Sequence, residues 1–133
     1  MGDLPDSKRE VTRPAATILV VDDEPAVLSL LRSILTSAGY EVMEAANGKE
    51  AVTLTEEAHV DLVLTDLAMP EQEGFETIKI LRKRLPQLKI IAMSGRFAGQ
   101  ILHVAELLGA QATIAKPIRP PELLELVRRV LAG

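Results

Sequence analysis

Val60-Asp61-Leu62-Val63-Leu64-Thr65-Asp66, followed at once by Leu67-Ala68-Met69-Pro70, is the stretch on which the reading of this chain turns. The apolar run reads as a strand over 60–65, and the segment containing Pro70 cannot continue it. Asp66 therefore stands where a strand ends. Three further runs end in the same manner. Thr17-Ile18-Leu19-Val20-Val21 stops at the acidic pair Asp22 and Asp23, and Lys89-Ile90-Ile91-Ala92-Met93 stops at Ser94. Ala112-Thr113-Ile114-Ala115 stops at Lys116, with Pro117 behind it. Each of these strand ends carries a polar or charged side chain.

The intervening segments have helical spacing. Pro25 suits the first turn of a helix, and Val27, Leu28, Leu31, Ile34 and Leu35 mark its inner face up to a stop at Gly39. Residues 40–45 read as a strand. Asn47, with Glu50 three residues later, has the form of a capping box that opens a second helix through about Ala58. A third helix starts at Gly74, turns Ile78, Leu81 and Leu85 inward, and is ended by Pro86. Gly95 to Gly99 is permissive backbone expected to form a mobile loop. A fourth helix carries Ile101, Val104, Ala105 and Leu108 up to Gly109. The last follows Pro120-Pro121, with Leu123, Leu124, Val127 and Leu131 facing in. The order is a βα unit repeated five times, an α/β fold whose five-stranded parallel sheet is covered by helices on both faces. Residues 1–16, with two prolines, mixed charge and little periodicity, are expected as a disordered tail, and 17–133 as a single domain.

Composition narrows the function classes. A chain of 133 residues, 47% hydrophobic and 26% charged, suits one soluble core. It has no run long enough to span a bilayer and no signal-peptide or myristoylation pattern, so no membrane role is expected. The absence of cysteine excludes disulfides and thiolate metal sites and fits a cytoplasmic protein. A net charge of −4 without a basic run argues against nucleic acid as a direct partner. The basic cluster Lys79, Arg82, Lys83 and Arg84 reads as a solvated helix face, His59 and His103 as surface or half-buried structural residues, and Met43, Met69 and Met93 as packing.

In an open α/β sheet, ligands bind outside the C-terminal ends of the strands, so Asp22, Asp23, Asp66, Ser94 and Lys116 converge although they are distant in sequence. Close carboxylates stay ionised together only when a cation compensates them, and oxygen-only ligands favour Mg²⁺. A carboxylate is also a nucleophile toward phosphorus. A transferring phosphoryl group then needs the positive charge and donors that Lys116 and Ser94 supply. Taken singly, these residues have plainer readings as helix caps or solvated ends. Together they point to one phosphoryl site.

Over residues 17–131 the chain resembles the receiver domains of two-component response regulators. The resemblance is carried by Ile-Leu-Val-Val-Asp-Asp-Glu-Pro (18–25), Leu-Thr-Asp-Leu-Ala-Met-Pro (64–70) with Gly74, Met-Ser-Gly (93–95) and Ala-Lys-Pro (115–117). It implies a flavodoxin-like sheet of strand order 2-1-3-4-5, the order found in chemotaxis receivers. It implies that Asp66 accepts a phosphoryl group from a histidine kinase or a histidine phosphotransfer protein. Asp23, Asp66 and the backbone carbonyl of Ala68 would bind Mg²⁺, with Asp22 acting through the metal's water shell. Ser94 and Lys116 would engage the phosphoryl oxygens, and the Lys116–Pro117 peptide would be cis.

The expected role is a single-domain signalling receiver, monomeric or weakly homodimeric, that contacts a downstream protein. It would catalyse only its own phosphorylation and dephosphorylation. Competing readings are a Mg²⁺-dependent aspartyl-phosphate phosphohydrolase, a non-phosphorylated scaffold, and a receiver excised from a longer regulator. The hydrolase lacks an acid two residues after Asp66, where Ala68 stands. One departure from the family is Thr113, three residues before Lys116, where an aromatic is usual; Ile118 is another. Output is therefore expected to run through the 95–99 loop and the fourth helix.

Overall fold

The computed structural model describes residues 15–67, 73–95 and 98–133, with side chains of 73 and 98–102 excepted. The expected tail, apart from Ala15 and Ala16, lies outside them, as do Ala68, Met69, Arg96 and Phe97. Strands and helices alternate: β1 Thr17–Val21, α1 Pro25–Ser37, β2 Glu41–Ala45, α2 Gly48–Glu57, β3 Leu62–Asp66, α3 Glu73–Arg84, β4 Lys89–Ser94, α4 Ala98–Leu107, β5 Ala112–Ala115 and α5 Pro120–Ala132. All strand pairs are parallel, in the order β2-β1-β3-β4-β5.

Strand periodicity divides the core between the two faces of the sheet. Ile18, Val20, Leu62, Leu64, Ile91, Met93 and Ile114 point to one side, where Leu28, Leu31, Leu35, Leu123 and Val127 of α1 and α5 cover them. Leu19, Val21, Val63, Ile90 and Ala92 point to the other, against Ala51, Ile78, Leu81 and Ala105 of α2, α3 and α4. Central β3 is buried along its whole length, whereas edge strands β2 and β5 are only partly buried. No helix among the described residues is long and apolar enough to cross a membrane.

Several boundaries and faces differ from expectation. β3 begins at Leu62, not residue 60. Asp61 instead locks the foot of β1, accepting the Thr17 N–H on Oδ2 at 2.8 Å and donating its own N–H to the Thr17 carbonyl at 2.9 Å. Leu85 lies past the end of α3 and is exposed, and Leu88 is the buried residue there. On α4, Ala105 faces in, but Val104 is 41% exposed and Leu107 72%. α5 buries Leu126 with Leu123 and Val127, leaving Leu124 and Leu131 half-buried. α4 starts at Ala98, so Gly99 belongs to a helix rather than to the expected loop.

Local signals that involve few residues hold. Asn47 Oδ1 accepts the Glu50 N–H at 2.8 Å, and Glu50 accepts the Ala46 N–H at 2.6 Å, a reciprocal cap of α2. Gly39 and Gly109 have φ of 96° and 117° at the ends of α1 and α4, where glycine alone is unstrained. Met43 and Met93 pack in the core, and His59 and His103 lie at the surface, His59 2.8 Å from Asp61 Oδ1.

Arg82 corrects the solvated reading of the α3 basic cluster. Its guanidinium donates to the carbonyls of Pro86 and Gly109, each at 2.8 Å, and to Gln111 Oε1 at 3.0 Å. It thereby ties the end of α3 to the α4–β5 turn. Burial pulls its pKa below the ordinary arginine value, yet a guanidinium stays charged at neutral pH. Lys79, Lys83 and Arg84 are exposed as expected, with Arg84 paired to Glu56 at 2.5 Å.

Candidate functional site

The strand order reverses between β1 and β3, and that is where the polar strand ends meet. Val21 pairs with Thr65, and one residue beyond this pair come Asp22 and Asp66. Asp66 is held by its pairing with Met93 and by the Leu67 N–H, which donates to the Met93 carbonyl at 3.0 Å. Asp22 is tied to β2 through its own N–H and the Ala45 carbonyl at 3.1 Å. One oxygen each of Asp22, Asp23 and Asp66 lies within 4.8 Å of the others. Asp22 and Asp66 are buried, and Asp23 is exposed at the mouth.

Lys116 enters from the end of β5. Its ammonium donates to Asp22 Oδ2 at 3.0 Å and lies 3.3 Å from Asp66 Oδ1. Burial draws its pKa down, but the Asp22 hydrogen bond and the charges of Asp66 and Asp22 outweigh this and raise it above the ordinary lysine value. Lys116 is therefore charged throughout the neutral range. The Lys116–Pro117 peptide is cis, as the resemblance implied. Ser94 is fully buried at the end of β4, and α4 begins only at Ala98, so Ser94 is not its cap. Asp66 likewise lies well before the start of α3 and is not its cap. The expected carbonyl of Ala68 lies outside the described residues.

Among the described residues, three carboxylates and one ammonium leave an excess of negative charge in a crevice whose inner pair, Asp22 and Asp66, is buried. Such a donor set, all oxygen and confined within a few ångströms, fits a hard divalent cation, with Asp22, Asp23 and Asp66 as its side-chain holders. Asp22 carries a second duty: its Oδ1 accepts the Glu24 N–H at 2.9 Å, turning the chain into α1. Glu24 is the N-cap of α1, and its side chain makes no capping bond.

The sequence marks Gly74 only as a helix start and a motif residue, and it leaves Thr65 unmarked. Gly74 is where α3 comes down on the end of β3. A Cβ there would stand 2.5 Å from the Asp66 carbonyl oxygen and 2.7 Å from Leu67 Cα, so only glycine lets the helix approach the acceptor strand. Thr65 is fully buried beside Asp66 and donates to its carbonyl at 3.2 Å. Its signal was a lone hydroxyl inside an apolar run. Thr113 sits half-buried on β5, paired with Ala92.

A 2-1-3-4-5 sheet with an acidic, lysine-bridged crevice at its switch point defines the class of CheY-like, flavodoxin-fold domains. The family model described as "Response regulator receiver domain" matches residues 18–128, and the chain belongs to that family. It is 40% identical over 116 residues to the chemotaxis protein CheY of Thermotoga maritima, covering 85% of this chain and 95% of that protein. It is 34% identical over 119 residues to the DNA-binding transcriptional regulator NtrC of a Bradyrhizobium species, covering 90% of this chain but only 25% of that regulator. Among solved structures, a CheY-like receiver from Methanospirillum hungatei matches with TM-score 0.83 and 34% identity, over 89% of this chain and 94% of that one. The response regulator TrrA of Thermotoga maritima, solved with Mg²⁺ and BeF, matches with TM-score 0.78 and 33% identity, over 86% and 98%.

Proposed function

We propose that this receiver takes a phosphoryl group on Asp66 from the phosphohistidine of a histidine kinase or phosphotransfer protein, in a Mg²⁺-dependent reaction, and signals by protein–protein contact. The observation that carries the reading is the Lys116 ammonium lying between buried Asp22 and Asp66, with Asp23 at the mouth. An Asp66 carboxylate oxygen attacks phosphorus, the phosphorus–nitrogen bond breaks, and the electron pair leaves with the imidazole, giving an aspartyl-phosphate. Lys116 pairs with an outer phosphoryl oxygen, and the Ser94 hydroxyl donates to another. Mg²⁺ held by Asp22, Asp23, Asp66 and the Ala68 carbonyl would offset the charge that three carboxylates and a phosphoryl group place together.

In this reading the protein turns over no external substrate. Ala68 offers no acid or base two residues beyond Asp66, which disfavours a phosphohydrolase, and the complete set of site side chains disfavours a mute scaffold. The proposed setting is the cytoplasm, with the protein acting as a monomer or weak homodimer on a downstream protein. With Thr113 in place of an aromatic, the phosphorylation signal is carried mainly by residues 94–108, after Ser94 engages the phosphoryl group.

The test is incubation with Mg²⁺ and a small-molecule phosphodonor, followed by intact-mass spectrometry. A labile single phosphoryl adduct that Mg²⁺ chelation prevents supports the proposal. Sustained release of phosphate from many monoesters would favour the hydrolase, and no adduct at all would favour the scaffold.

A further inference from the structure

Gly95 follows Ser94 directly, and two usual reasons for a glycine fail there. Its φ is not in the left-handed region occupied by Gly39 and Gly109, and it is exposed rather than buried against backbone. Among the described residues, what faces it is the stem of Lys116. A Cβ at residue 95 would stand 3.2 Å from Lys116 Cβ, 3.6 Å from Cδ and 3.9 Å from Cγ. The lysine side chain thus lies along the bare face of Gly95 on its way to Asp22 and Asp66.

We propose that Gly95 is a positioning residue: the space left by its missing side chain is the track that sets where the Lys116 ammonium stands. This rests on the role given to Lys116 above. The nearest atom, Lys116 Cβ, is fixed to backbone rather than being a flexible tip. That backbone is held to β4, because the Lys116 N–H donates to the Ser94 carbonyl at 2.9 Å and Ala115 pairs with Ser94. A methyl at 95 must therefore push the root of the lysine by a few tenths of an ångström. A branched side chain must displace the stem itself. The ammonium, now at 3.0 Å and 3.3 Å from its carboxylates, then leaves hydrogen-bond range.

Lys116 and a divalent cation share the same carboxylates, so the displacement has a signature that general damage to the site lacks. Moving the ammonium away slows phosphoryl transfer but leaves more negative charge for the metal. Gly95→Val should phosphorylate on the order of tenfold more slowly, given ~10²-fold for a misplacement of ~1 Å. Gly95→Ala should fall between it and wild type. Mg²⁺, titrated alone by calorimetry, should bind Gly95→Val at least as tightly as wild type.

The deciding experiment is a double-mutant cycle with Lys116→Ala, at saturating Mg²⁺ with a small-molecule phosphodonor. Gly95→Val should add nothing in the Lys116→Ala background, and the Lys116 ammonium NMR signal should shift in Gly95→Val. Full multiplication of the two losses, weakened Mg²⁺ binding, or an unmoved ammonium signal would overturn the proposal. If Lys116→Ala alone reacts at the wild-type rate, the catalytic reading of Lys116 fails instead, and the ammonium signal still decides whether Gly95 places it.

Discussion

Replacing Gly74 by alanine sets helix propensity against the approach of α3 to β3. Gly74 lies in the first turn of α3, and propensity alone makes Gly→Ala in a helix interior stabilising by ~0.5–1 kcal/mol. The added methyl, however, meets the Asp66 carbonyl oxygen at 2.5 Å and Leu67 Cα at 2.7 Å, well inside van der Waals contact. Both are backbone atoms at the end of the fully buried central strand, so neither swings aside. Overpacking of this kind costs about 1–3 kcal/mol, and its upper half applies where the obstacle is backbone. The net expectation is a loss of roughly 1–2 kcal/mol, or ~4–8 °C in Tm for a domain of this size. Urea denaturation followed by far-UV circular dichroism measures it, with an unchanged denaturant slope showing that the unfolded state is the same. Since the displaced carbonyl belongs to Asp66, the phosphorylation rate should fall as well. A Gly74→Ala protein as stable as wild type, or more so, would refute the close approach of α3 to the acceptor strand.

Other outcomes follow from residues outside the crevice. Arg82→Ala should cost about 1–3 kcal/mol by stripping donors from the Gly109 and Pro86 carbonyls and Gln111, as thermal denaturation would show, and Arg82→Lys should not restore it because an ammonium cannot span that fork. Asn47→Ala removes the α2 cap and should cost ~1 kcal/mol by the same assay. Burial pushes the Asp61 pKa up, but the Thr17 N–H and His59 outweigh it, so the carboxyl titrates below its ordinary 3.8. A lowered folded pKa contributes stability above the unfolded value and loses it as pH falls through the folded one. The stability gap between wild type and Asp61→Asn should therefore be present above about pH 4 and close as pH falls below it, as urea midpoints across pH would show.

The parts of this fold that could be read in advance were those written within a few residues of each other. Apolar runs ending in Asp22, Asp66, Ser94 and Lys116 declared both the strands and the edge of the sheet where the acidic crevice lies. The Asn47–Glu50 cap and the stops at Gly39 and Gly109 are local too. Contacts across the fold were not readable. Nothing in the spacing says that Arg82 reaches Gly109 and Gln111, or that Lys116 lies nearer to Asp22, 94 positions away, than to Asp66. Leu85, Val104 and Leu107 were misjudged or overlooked because periodicity names apolar positions without saying which of them finds a partner. The glycines divide in the same way. Gly39 ends a helix, a local matter, while Gly74 and Gly95 are spaces for a neighbour that only the folded chain supplies.

The claim on which the rest depends is that the phosphoryl group resides on Asp66. Borohydride reduction of the acyl phosphate after reaction with Mg²⁺ and a phosphodonor, with peptide mass mapping, locates it directly. The expected result is a single reduced aspartate at Asp66, none in Asp66→Asn, and none when Mg²⁺ is chelated. A reduced residue at Asp22 or Asp23, or an adduct of equal yield in Asp66→Asn, would contradict it.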